Sequence, residues 1–187
     1  MNTEKLLEVI HIAEKLKDTT RHCYTSKGRH ESVAEHSWRI SLMAYWIADE
    51  FPEADMNKVI KMCLIHDLGE CFTGDIPTFM KTSEDETKEK EVLYSWVNTF
   101  PEPYNKEMLS LYKEIAERKT LEAKIFKAMD SLEALIQHNE SDIRTWSENE
   151  FDLNLTYAND KVSFSTYLKE LRQLIYKETI SKMEEGI

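Results

Sequence analysis

The stretch VIKMCLIHDLG, Val59 to Gly69, decides the fold. Apolar side chains dominate from Val59 to Ile65, and Asp55 just ahead is suited to cap a helix, so the spacing predicts a buried helix running into His66 and Asp67. An ionised carboxylate in an apolar setting is costly unless a cation, a metal or hydrogen bonds meet it. Adjacent helical residues point about 100° apart, so His66 and Asp67 reach one ion only where the helix is ending. Gly69 is read as that ending. An isolated His–Asp pair would be satisfied by local hydrogen bonds, but other parts of the chain supply company for this one.

Upstream, Ser32-Val33-Ala34-Glu35 is a capping box that opens a helix to about Phe51 and sets His36 one turn in. Leu6, Val9, Ile10, Ala13 and Leu16 recur at helical spacing, so 2–17 is an amphipathic helix, while the polar residues 18–31 are expected to form a loop. Downstream, 71–81 is a loop with Gly74 and Pro77. Ser83-Glu84-Asp85-Glu86 is read as a second capping box, with a helix to about Thr99. Helices follow at 104–117, at 120–139 with Ile125, Phe126, Met129, Leu132, Leu135 and Ile136 inward, and at 163–184; residues 140–160 give no clear pattern. Only four glycines and four prolines interrupt the chain. The expectation is an all-α bundle of about seven or more helices forming one domain over 1–187, its motifs within about 5–140.

The formal net charge of −11 argues against a nucleic-acid polymer as partner, since duplex binding needs many cations on phosphates. A small anion is still admissible, because a bound divalent metal reverses the local field of an acidic cleft. Apolar stretches are too short to span a bilayer, and 1–17 lacks the block order of a signal peptide, so a cytoplasmic protein is expected. Cys23, Cys63 and Cys71 make no disulfide framework. Cys63, three residues before His66, has the spacing of a soft ligand but reads as a buried thiol.

Asp130 lies inside the helix at 120–139, between Met129 and Leu132, where an aspartate is a poor helix former. His36, His66, Asp67 and Asp130 thus bring two imidazoles and two carboxylates onto three buried helices, a donor set suited to Mn, Co, Fe or Zn. Their order resembles the H…HD…D pattern of the HD-domain phosphohydrolases. Arg21, the segments 32–37 and 66–70, and Thr73-Gly74-Asp75-Ile76-Pro77-Thr78 look like the YfbR-type 5′-deoxynucleotidases. The resemblance implies an all-helical fold, a divalent metal on His36, His66, Asp67 and Asp130, and catalytic roles for Glu70, Asp75 and Asp67. It also implies phosphate orientation by Arg21, substrate contacts from Asp75, Ile76, Pro77 and Thr78, and a homodimer. His22 occupies the place of a tryptophan that packs on the nucleoside in the bacterial enzymes, so a strict preference for deoxyribose is not implied.

The function expected is hydrolysis of the 5′-phosphate of (deoxy)nucleoside monophosphates. Glu70, four residues after His66, is the group expected to move a proton. The competing readings are a nucleoside triphosphate or cyclic-nucleotide phosphohydrolase, and a non-catalytic metal-binding helical protein. Arg29 and His30 are further basic candidates near the pocket. His11 and His138 read as surface or helix-edge residues, and Trp38, Tyr45 and Trp46 as core or dimer packing.

Overall fold

A computed structural model describes residues 1–77 and 79–186, and its main core is built around one helix. This is α7 (Leu121–Glu140), opened by Thr120, whose side chain accepts from the Ala123 N–H. Its buried residues lie on several sides rather than on one stripe, the mark of a helix enclosed by neighbours. Those neighbours are α2 (Val33–Trp46), α3 (Met56–Ile65), α6 (Tyr104–Glu117) and α9 (Thr166–Glu185). Ile40, Val59, Met62, Ile125, Met129, Leu132, Leu168 and Ile175 interlock in the main core. A second cluster, Leu93, Trp96, Val97, Phe100 and Tyr112, lies between α5 (Ser83–Val97) and α6. The all-α expectation therefore describes the bundle.

The capping box at Ser32 and Glu35 is present, and Asp55 accepts from Lys58 N–H at the start of α3. α1 (Thr3–Ala13) runs into a 3-10 turn at Glu14–Lys17. The box before α5 uses Thr82 and Asp85 instead of Ser83 and Glu86, a shift of one residue. Threonine and aspartate serve there as well as the expected pair, because any hydroxyl three residues before a carboxylate can close the box.

The segment 18–31, expected as a loop, contains β1 (Thr20–Tyr24), which pairs antiparallel with β2 (His30–Ser32). The alternation is hard to read because the inward side chains, Arg21 and Glu31 among them, include charged groups that find partners only in the folded protein. Residues 71–81 are also less open than expected. After α3 the chain tightens through i→i−3 bonds at Leu68, Glu70, Cys71 and Phe72, and α4 (Glu70–Thr73) follows. Gly69 is needed for close approach rather than for stopping α3: an added Cβ would lie 2.8 Å from Cγ of Glu89. α3 itself ends at Ile65, and it is α4 that stops at Gly74, whose φ of 76° suits glycine and turns the chain toward Asp75.

α8 (Glu148–Thr156) fills part of the unreadable region. Arg172 of α9, buried, donates to the carbonyls of Asn154 and Tyr157 and so ties α8 to the bundle. Trp38, Tyr45 and Trp46 lie outside the core, with Trp46 74% exposed, along one face of α2. No helix among the described residues is long and apolar enough to cross a membrane.

Candidate active site

The end of α3 is held by Tyr112, whose hydroxyl donates to the Ile65 carbonyl at 2.7 Å. His66, the next residue, turns its Nδ1 to the Cys63 carbonyl at 2.9 Å. Nδ1 must donate there, so Nε2 carries the lone pair. This Nε2 is buried without a hydrogen-bond partner, although Asp67 Oδ2 is 2.9 Å away. His36 is arranged in the same sense. Its Nδ1 meets Oε2 of Glu133 at 2.5 Å, and its Nε2 faces Asp130 Oδ1 at 3.2 Å and Asp67 Oδ2 at 4.0 Å. His66 Nε2 is 3.9 Å from Asp130 Oδ1.

The Nε2 atoms of two imidazoles and two carboxylate oxygens thus converge, an arrangement that calls for a metal ion or a proton among them. Atoms each about 2.0–2.2 Å from one metal ion cannot be more than roughly 4.4 Å apart. The four distances between a histidine Nε2 and a carboxylate oxygen, 2.9, 3.2, 3.9 and 4.0 Å, satisfy that bound. His36, His66 and Asp67 offer ligand atoms all within 4.8 Å of one another, and Asp130 joins them through its approach to the two imidazoles. A proton on His36 is the alternative cation. Burial and Arg21 work against it, but Glu133 and Asp130 outweigh them and lift that imidazole to about 9. Burial likewise opposes the charge on Asp130, yet Lys127, His36 and His66 hold it well below the usual carboxylate range.

Behind His36 lies a group of charges that sequence reading missed. Glu133 and Glu31, both buried, receive Nη1 of Arg21 at 3.1 and 2.9 Å. Glu133 also accepts from His36, so one carboxylate orients both a candidate ligand and the candidate phosphate arginine. Its signal was a glutamate on the buried face of α7, three residues after Asp130. Lys127, three residues before Asp130, places Nζ 2.6 Å from Asp130 Oδ2.

The polar cavity over the cluster is lined by Arg21, Glu70, Asp75, Ile76, Lys81 and Lys127 among others. Glu70 is buried with Oε2 unpartnered; burial, then Asp67, Asp75 and Glu89, against Lys81, push its carboxyl up to about 10. Burial also raises the Asp75 carboxyl, with Asp67 adding to it and Arg21 opposing. Pro77 is half-buried and its carbonyl accepts from Met80 and Lys81 N–H; Thr78 lies outside the described residues. A second recess shares Arg21, Lys127 and Asp130 with the first and continues to His22, Phe79, Leu135 and Leu153. His138, expected at the surface, is buried beside it because α8 covers that side of α7. Arg29 and His30 are turned elsewhere: Arg29 pairs with Glu35, and the exposed His30 ring bonds the Arg21 carbonyl. Cys63 is a fully buried thiol, as its apolar helix suggested.

The family model described as HD domain matches residues 13–172. A 5′-deoxynucleotidase HDDC2 of Dictyostelium discoideum is 33% identical over 141 residues, covering 70% of this chain and 74% of that protein. Among solved structures, a predicted metal-dependent phosphohydrolase from Magnetospirillum magnetotacticum MS-1 superposes with a TM-score of 0.78 at 23% identity, covering 95% of this chain and 92% of that one. A cyanophage S-2L HD phosphohydrolase (DatZ), solved with dA and one catalytic Zn2+ ion, gives 0.60 at 20% identity, over 92% of this chain and 96% of that one.

Proposed function

The chain belongs to the HD domain family, and on that premise we propose that it removes the 5′-phosphate from deoxynucleoside and nucleoside monophosphates. The observation that carries this reading is the convergence of His36, His66, Asp67 and Asp130 with the Nε2 atom of each imidazole turned inward. These four residues hold a divalent ion of the Mn, Co, Fe or Zn class. When bound, such an ion supplies Lewis acidity at a phosphate oxygen and lowers the pKa of water toward about 7. Arg21, already fixed through Nη1, offers the rest of its planar fork to the phosphate. Glu70 moves a proton at the attacking water or the leaving 5′-oxygen. Asp75, Ile76 and Pro77 contact the substrate, a role that Thr78 shares by its place in the sequence motif, and His22 lines the recess that takes the nucleoside. The monophosphate is supported by the activity named for the Dictyostelium relative.

Protein reconstituted with each divalent metal is expected to release inorganic phosphate from dAMP and AMP. Turnover confined to triphosphates, with pyrophosphate or triphosphate as product, would overturn the reading. Inactivity toward every nucleotide would favour a non-catalytic metal protein.

Glu133→Gln tests the support behind His36. Loss of a carboxylate behind a metal-binding histidine typically weakens metal affinity about 10–100-fold. Because Glu133 helps raise His36, a metal ion must displace a proton from that ring at neutral pH, and affinity in the parent should climb with pH up to about 9. In Glu133→Gln that climb should end at lower pH. Unchanged affinity and pH profile in a calorimetric titration would remove Glu133 from the site.

A homodimer is part of this proposal. It is supported by the α2 face of Trp38, Leu42, Tyr45 and Trp46, four exposed apolar side chains at helical spacing.

A further inference from the structure

We propose that His22, His138 and Glu150 form a second site for a divalent transition metal, zinc above all, at the far end of the nucleoside recess. The three side chains come from β1, α7 and α8 and offer ligand atoms that all lie within 4.8 Å of one another. Oε1 of Glu150 is the centre of the group, 2.9 Å from His22 Nε2 and 3.5 Å from His138 Nε2.

This geometry repeats that of the first cluster. Glu150 is 3% exposed, and its Oε1 is buried without a well-aligned hydrogen bond, just as His66 Nε2 is. The carboxylate is meanwhile anchored by its other oxygen, which accepts from Ser147 N–H at 2.6 Å. His138 is contacted from behind as well, its Nδ1 lying 3.0 Å from Nδ2 of the Asn154 amide. With that amide turned so that its oxygen accepts from Nδ1–H, His138 presents a lone pair on Nε2. Two imidazoles and one carboxylate are an established zinc donor set, and three protein ligands leave a fourth position free. His22 and His138 both line the recess, so an ion held by them would border it.

The site shares no ligand with the first cluster and does not depend on the hydrolytic reading. A bound ion would clamp the hairpin and α8 onto α7. The metal-free alternative is a Glu150 Oε1 shared between His22 Nε2 at 2.9 Å and an Nε2–H of His138 at 3.5 Å, and the zinc titration separates the two.

Zinc alone is the probe. Apo-protein titrated with Zn2+, with bound metal counted by elemental analysis, is expected to take up two equivalents. Glu150→Gln should bind the second equivalent at least ~100-fold more weakly and retain the first. Asp67→Asn should do the reverse, so the two sites fail separately. His22→Ala, at a half-buried position, provides a second variant should Glu150→Gln not fold. No bound zinc, a parent stoichiometry of one that Asp67→Asn abolishes, or two equivalents held with parental affinity in Glu150→Gln or in folded His22→Ala, would overturn the proposal. A single equivalent that Glu150→Gln abolishes would uphold it and count against the first cluster instead.

Discussion

Asp67→Asn is expected to fold, to lose the metal ion of the first cluster and to lose turnover by at least about a thousand-fold. The substitution keeps the shape of the side chain and removes one of two carboxylates facing the His36 and His66 ring nitrogens. Asparagine is a weak neutral donor, and the remaining set of two imidazoles and Asp130 lacks the charge to hold a divalent ion tightly. Metal ions contribute several kcal/mol of charge stabilisation in such reactions, and each 1.36 kcal/mol is a factor of ten in rate. The fold should survive because relief of the Asp67–Asp130 repulsion partly compensates the lost attraction to His66. A helix-end pair satisfied by local hydrogen bonds would give another result, with metal content and rate both near the parent. Elemental analysis beside a phosphate-release assay distinguishes the two.

That pair was legible because its chemistry contradicts its surroundings: a His and an Asp at the end of seven mostly apolar residues advertise a partner. The capping box at Ser32 made His36 equally legible, and Asp130 stood out within the apolar pattern of α7. Glu31 and Glu133 did not, although they organise Arg21 and His36. Their partners lie as much as 112 residues away, and a buried carboxylate paired through space looks in sequence like a solvated one. The hairpin was missed for a related reason. Its inward residues, Arg21, Cys23 and Glu31, are charged save one, so the alternation that marks a half-buried strand is faint until Glu133 is in place to receive Arg21. His138 was misplaced because α8, which buries it, has little apolar periodicity of its own. The capping pair Ser147 and Glu150 was the available signal there.

Glu70→Gln should separate chemistry from metal binding. Glu70 is not among the four converging ligand residues, so the variant is expected to keep its metal ion. The glutamine cannot exchange a proton, and loss of a positioned acid or base typically costs 10²–10⁴-fold in kcat. The variant should also change stability in a direction that depends on pH. In the metal-free protein the Glu70 carboxyl is held at about 10, above its ordinary value of 4.5, first by burial and then by Asp67, Asp75 and Glu89. Between those two values the folded chain keeps a proton that the unfolded chain has released, so rising pH favours unfolding. Parent apo-protein should therefore lose stability through this group as pH climbs above about 4.5, the loss levelling off near 10. Glu70→Gln carries no such charge, and its melting temperature should exceed that of the parent by a margin that widens from pH 5 to pH 9. Adding the divalent ion supplies the missing positive charge and should narrow that margin. Undiminished turnover would take Glu70 out of the mechanism. A margin that stays flat with pH would show that its carboxyl is not held protonated by the site.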